Sequence, residues 1–208
     1  MKHTLEVKRT AHYYHDKAIE PSKGALIVLH GYAQLASEFI KEFKDLSPMG
    51  YHVYAPEALS KFYNKHQQPA ANWMTSHERD DEIKDYINYL NLLVTVIKEK
   101  HKNIPLHFVG FSQGVSTLLR WQANSNINIT STHLVAGSIP EELVSKDNLY
   151  LNSKAIYFYY GNNDRLVRPA NAEKYFNQLR AIDSNCTYVP FVGRHEIPKE
   201  ITMFFATL

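Results

Sequence analysis

Leu106-His107-Phe108-Val109-Gly110-Phe111-Ser112-Gln113-Gly114-Val115-Ser116-Thr117-Leu118-Leu119 is the stretch that decides the fold. Leu106 to Val109 has strand character, and Val115 to Gln122 reads as a helix. Between them lies Gly110-Phe111-Ser112-Gln113-Gly114. A Gly-x-Ser-x-Gly turn that closes a strand and opens a helix has the form of a nucleophile elbow. Its serine sits on a sharp, strained turn, and the flanking glycines let neighbouring chains come close. The competing reading is an ordinary strand-to-helix turn whose serine caps the helix.

Outward from the elbow, strand-like and helix-like segments alternate. Upstream, Ala25 to Leu29 is a continuous apolar run, as expected of a strand buried on both faces. A helix is expected from Ser37 to Leu46, stopped by Pro48-Met49-Gly50, and Tyr51 to Ala55 is the next strand. Ile83, Tyr86, Ile87, Leu90, Leu93, Val94 and Ile97 form one helical stripe, with Lys98, Lys100 and His101 at its carboxyl end. Leu5 to Arg9 with Tyr13-Tyr14 reads as an edge strand or hairpin. Downstream, strands are expected at 132–136, 155–160 and 187–192, and helices at 171–182 and 198–207. The alternation implies one α/β domain over residues 1–208, with a mostly parallel central sheet and helices on both faces. Glu57 to Ser76 shows no clean period and reads as a functional loop or lid.

Composition narrows the classes. The 208 residues are 44% hydrophobic and 21% charged, which is ordinary for a globular chain. With 23 basic and 21 acidic side chains the net charge is +2, and no basic run marks a nucleic-acid partner. The lone Cys186 has no internal disulfide partner. No apolar stretch is long enough for a membrane span, and the first residues lack the apolar core of a signal peptide, so a cytoplasmic location is expected. No His/Cys/Asp cluster has ligand spacing, so neither a metal nor another cofactor is expected.

In such a sheet, chemistry gathers at the carboxyl ends of the strands. Gly161-Asn162-Asn163-Asp164 follows one strand there, and Gly193-Arg194-His195-Glu196 follows the last. Asp164 can hold the tautomer of a histidine, or simply close an Asx turn. His195 can act as general base towards Ser112 and then as general acid. Its best rival is His77, which breaks the chain order Ser…Asp…His, as do Asp80 and Asp81 for the carboxylate; Asp183 lies at the wrong edge of the sheet. Leu29-His30-Gly31-Tyr32-Ala33-Gln34 is the candidate oxyanion loop. A turn here can aim the Tyr32 N–H at the site, opposite the N–H of Gln113, and His30 is expected to brace the loop rather than act in the chemistry. Phe62, Tyr63, Trp73 and Met74 are candidates for the wall of an acyl pocket; equally, they pack the 57–76 segment onto the core.

The Leu-His-Gly opening, the Gly-Phe-Ser-Gln-Gly elbow, Gly-x-x-Asp and Gly-x-His come in an order that resembles the phospholipase/carboxylesterase family of α/β-hydrolases, the small esterases that include acyl-protein thioesterases. The resemblance spans essentially the whole chain. It implies an α/β-hydrolase fold, a triad of Ser112, Asp164 and His195, and oxyanion donors at the backbone of Tyr32 and Gln113. It departs at Ala33, where the family usually has a glycine. The expected function is carboxylic-ester hydrolysis through an acyl-enzyme, on a small-molecule acyl ester. A thioesterase or lysophospholipase would use the same triad, and a silent binding module on this fold is the alternative of a different class. Dimerisation near the site face is a family-level expectation.

Overall fold

The computed structural model describes residues 1–145 and 151–208. Among the described residues, the nine strands are β1 (Tyr13–Asp16), β2 (Gly24–Leu29), β3 (Tyr51–Pro56), β4 (Ser60–Tyr63), β5 (Pro69–Asn72), β6 (Leu106–Phe111), β7 (Ser131–Val135), β8 (Ile156–Gly161) and β9 (Cys186–Phe191). Seven of them form one sheet in the order β1-β3-β2-β6-β7-β8-β9, while β4 and β5 pair only with each other. Every pairing in the large sheet is parallel except β1 with β3. The helices are α1 (Ala36–Phe39), α2 (Arg79–Lys100), α3 (Gln113–Gln122), α4 (Glu141–Val144), α5 (Pro169–Ile182) and α6 (Lys199–Ala206).

The sheet splits the core in two, because successive side chains of a strand face opposite ways. Ala25, Ile27 and Leu29 of β2 join a cluster with Tyr86, Leu90, Val94 and Ile97 of α2, Leu118 of α3 and Leu179 of α5. Leu26 and Val28 face the other side, onto Phe39 of α1 and Ile201 and Phe205 of α6. All six residues of β2 and of β6 are buried, so both strands are covered on both faces. This is the mostly parallel, doubly covered α/β architecture of an α/β-hydrolase fold. The carboxyl ends of β2, β6, β8 and β9 come to one edge, where four connecting loops meet.

Three expectations change. The 57–76 segment is an antiparallel hairpin, with Ser60 opposite Asn72 and Tyr63 opposite Pro69. The region from Ser37 to Leu46 is only one α turn continued by a 3-10 turn (Ile40–Phe43), because the sheet takes Phe39, Phe43 and Leu46 as separate anchors. Leu5 to Arg9 forms no strand; Leu5 and Val7 are exposed and β1 alone covers the edge of β3.

Candidate active site

The elbow forms where β6 runs out. Ser112 has φ 53° and ψ −115°, a backbone region that costs an L-residue roughly 1–3 kcal/mol. Hydrogen bonds on both sides hold it there. Its N–H donates to Val135 O of β7 at 2.9 Å, and its carbonyl accepts from Val115 N–H at 3.1 Å. The turn also needs a bare Gly114: a Cβ at that position would stand 2.2 Å from Leu29 O at the end of β2. Tight passage between β2 and α3 therefore fixes the serine at the sheet's carboxyl edge.

Asp164 and His195 are brought together by the next two loops of that edge. Asn162 N–H donates to Phe191 O at 3.0 Å and Asn163 N–H to Gly193 O at 2.9 Å, which ties the loop after β8 to the loop after β9. His195 Nδ1–H then donates to Asp164 Oδ2 at 2.8 Å. Both sequence readings of Asp164 hold at once. Its Oδ1 closes a turn by accepting from Leu166 N–H (2.7 Å) and Val167 N–H (3.0 Å), and its Oδ2 takes the histidine. The carboxylate is fully buried while the imidazole keeps 19% of its surface. With Nδ1 committed to Asp164, Nε2 carries the lone pair. The imidazole packs against Phe111, the neighbour of Ser112, with ring centroids 4.8 Å apart.

The rivals lie elsewhere. The His77 side chain is 87% exposed and meets only Glu78. His107 and His133 are buried in β6 and β7, joined through the Ser131 hydroxyl, and burial lowers the pKa of His107 to about 4 and of His133 to about 3. Asp183 follows α5, at the amino edge of the sheet, and accepts from Asn185 N–H.

The loop after β2 lies against the elbow. A Cβ on Gly31 would be 3.1 Å from Ser112 Cβ, a tight contact that the bare glycine avoids as this backbone passes the serine. His30 braces the loop, as its sequence position suggested. Ala58 N–H donates to His30 Nε2 at 3.1 Å, which leaves the ring proton on Nδ1 to donate to Gly31 O at 2.8 Å. Burial holds this ring neutral by lowering its pKa. Ala33 takes the left-handed conformation (φ 62°) that a glycine would adopt more easily, and its N–H donates to Ala71 O of β5 at 3.0 Å. Among the described residues, the N–H groups of Tyr32 and Gln113 have no protein acceptor.

Of the four wall candidates, Phe62 and Met74 share a half-open groove of about 400 Å³ with Tyr32, Asn72 and Thr75. Tyr32 stacks on Phe62 with centroids 5.4 Å apart. Tyr63 points the other way from Phe62, is 71% exposed and does not line the groove. Trp73 is 1% exposed; its Nε1–H donates to His30 O at 2.9 Å, and its ring packs on Tyr86. It anchors the hairpin to the core beneath the loop after β2. Sequence reasoning missed the side chain of Gln113. Its Nε2 donates to Asn72 Oδ1 (2.7 Å) and Met74 O (2.9 Å), and its Oε1 accepts from Trp73 N–H (3.2 Å). The residue after the elbow serine thus clasps the far strand of the hairpin, and no local pattern signals that contact.

The serine hydrolase (FSH1) family model matches residues 20–204. Among solved structures, the chain is similar to an esterase designated PE8, at 19% identity over 96% of this chain and 98% of that one, with a TM-score of 0.74. It is also similar to the acyl-protein thioesterase 2 of Zea mays (16% identity, 94% and 96% covered, TM-score 0.72). The carboxylesterase of Bacillus cereus is a third such structure (13% identity, 95% and 94% covered, TM-score 0.71). At these identities the likeness is one of fold. No curated protein sequence matches the chain significantly.

Proposed function

We propose a function from one premise: the chain belongs to the FSH1 serine hydrolase family. The reading is a carboxylic-ester hydrolase that works through an acyl-enzyme on Ser112. The observation that carries it is the 2.8 Å hydrogen bond from His195 Nδ1 to a buried Asp164, on the same edge of the sheet as a serine on a strained elbow. In this reading His195 Nε2 takes the Ser112 hydroxyl proton as Oγ attacks the acyl carbonyl. Asp164 stabilises the imidazolium that forms. The carbonyl oxygen becomes an oxyanion, met by the two uncommitted N–H groups of Tyr32 and Gln113. The tetrahedral intermediate collapses, the imidazolium returns its proton to the leaving alcohol, and the acyl group stays on Oγ. Water, deprotonated by the same histidine, then attacks the acyl carbonyl, and the imidazolium returns that proton to Ser112 Oγ as the acid leaves.

Phe62, Met74 and Tyr32 offer an apolar wall beside the donors, where each buried methylene of an acyl chain gains about 0.8 kcal/mol. The half-open groove suits short to medium acyl chains. The test is a series of p-nitrophenyl esters from acetate to octanoate, run beside an acyl-coenzyme A thioester and lysophosphatidylcholine. We expect ester turnover with an optimum between the ends of the series. Turnover of the thioester alone would overturn the ester assignment; turnover of the lysophospholipid alone, itself a carboxylic ester, would move the substrate class to lysophospholipids.

A further inference from the structure

Opposite the candidate active site, at the amino edge of the large sheet, three histidines from three elements converge. His15 lies on β1, His52 near the start of β3, and His101 follows the last turn of α2. His15 Nε2 and His52 Nδ1 are 3.2 Å apart. The His101 ring stacks on the His52 ring with centroids 4.0 Å apart. One nitrogen from each of the three lies within 4.8 Å of the other two. We propose that His15, His52 and His101 form a binding site for a transition-metal cation of the zinc type.

The spacing supports it first. Two nitrogens 3.2 Å apart, each about 2.05 Å from a zinc ion, subtend roughly 100° at the metal, near the tetrahedral angle. A cation between them replaces the proton those two rings now share. Ala18 N–H donates to His52 Nδ1 at 3.1 Å, so that nitrogen is the unprotonated one, and a cation there takes the place of this backbone contact. His101 supplies the third nitrogen, within 4.8 Å of the other two.

Charge, second, is mixed. Lys100 and Lys17 oppose a cation here, and the carboxylate of Glu20 favours one at His52 and His101.

The surroundings support it third. The Tyr54 ring stacks on His15 (4.1 Å, 5° between planes) and its hydroxyl meets His101 Nε2 at 2.7 Å. Outer contacts of this kind hold metal-binding imidazoles in orientation. His52 is 1% exposed, and its Nε2 has no partner among the described residues. The sequence expectation of no metal site came from looking for ligands close together along the chain; these three are gathered by the fold.

The test uses the untagged full chain titrated with Co²⁺, followed by visible absorption, and with Zn²⁺, followed by thermal melting. We expect one Co²⁺ per chain with the intense bands of tetrahedral nitrogen coordination, and a melting point that rises with Zn²⁺. His15→Ala and His101→Ala should each weaken binding at least tenfold, and His66→Ala, in the exposed turn of the hairpin, should leave it unchanged. Circular dichroism checks that the variants fold, and His101→Gln replaces either that does not. Absence of saturable binding in the unaltered protein overturns the proposal. So does binding that survives both histidine variants or is lost equally in His66→Ala. None of these readouts depends on hydrolysis.

Discussion

Ser112 and Phe62 both border the loop at residues 31–33, yet they are held there in different ways. Ser112 is fixed by backbone: the end of β6, two main-chain hydrogen bonds and the bare Gly114 pressed against Leu29 O. Phe62 is fixed at second hand. Its hairpin is tied down by Trp73 in the core, by Ala33 N–H on Ala71 O, and by the Gln113 side chain on Asn72 and Met74. The serine is thus set by main-chain geometry, and the groove near it by a few side-chain ties. Chemistry and substrate preference should therefore come apart under mutation.

The sharpest break is at the chemical end. His195→Ala should lose on the order of 10⁴-fold or more in kcat. Its melting point should stay close to that of the parent, since the ring is partly exposed and makes one hydrogen bond. His77→Ala should be nearly silent in the same assay; greater damage there would put the base on the other loop.

The next effect is on stability. Trp73→Ala removes a fully buried indole and one buried hydrogen bond, at a cost of about 3–5 kcal/mol. Urea unfolding should read that loss. The molecules that remain folded should keep the parent's ratio of acetate to longer-ester turnover, and a changed ratio would make Trp73 part of the groove.

Gln113→Ala separates the two regions most cleanly. It keeps the backbone N–H and removes three side-chain hydrogen bonds to the hairpin, worth about 1–3 kcal/mol together. KM for the longer esters should rise several-fold, with kcat for acetate little changed. A fall in kcat alike for every ester would mean that the clasp holds the elbow instead of the groove.

The smallest effect compares neighbours on one strand. Phe62→Ala should raise KM for the preferred ester roughly tenfold, the worth of about two buried methylenes. Tyr63→Ala, on the exposed side of β4, should change it less than twofold. Equal effects at both positions would remove the groove from substrate binding.

The contrast also explains what was legible in the sequence. Ser112, Asp164 and His195 each follow a strand and a glycine, so short motifs and strand order were enough to propose them. The strands of the large sheet were legible as apolar runs because both of its faces are covered. The hairpin was not. Pro69-Ala70-Ala71-Asn72 has low strand propensity and no alternation, and it pairs because Ala33, Gln34 and Gln113 are waiting for it. Helical periodicity over 37–46 misled for a similar reason: its apolar residues are spaced as anchors, and the chain turns among them with a 3-10 segment. The three histidines of the far edge lie on separate elements, so only the fold brings them within reach.

The central claim is that Ser112 is the nucleophile, and covalent labelling tests it most directly. The protein is treated with a fluorophosphonate probe, digested, and the modified peptide is identified by mass spectrometry, in parallel with Ser112→Ala. The account predicts one adduct per chain on the Ser112 side chain, with no labelling and no ester turnover in a variant that still folds. An unlabelled parent protein, an adduct on another residue, or a Ser112→Ala variant that still labels would contradict it.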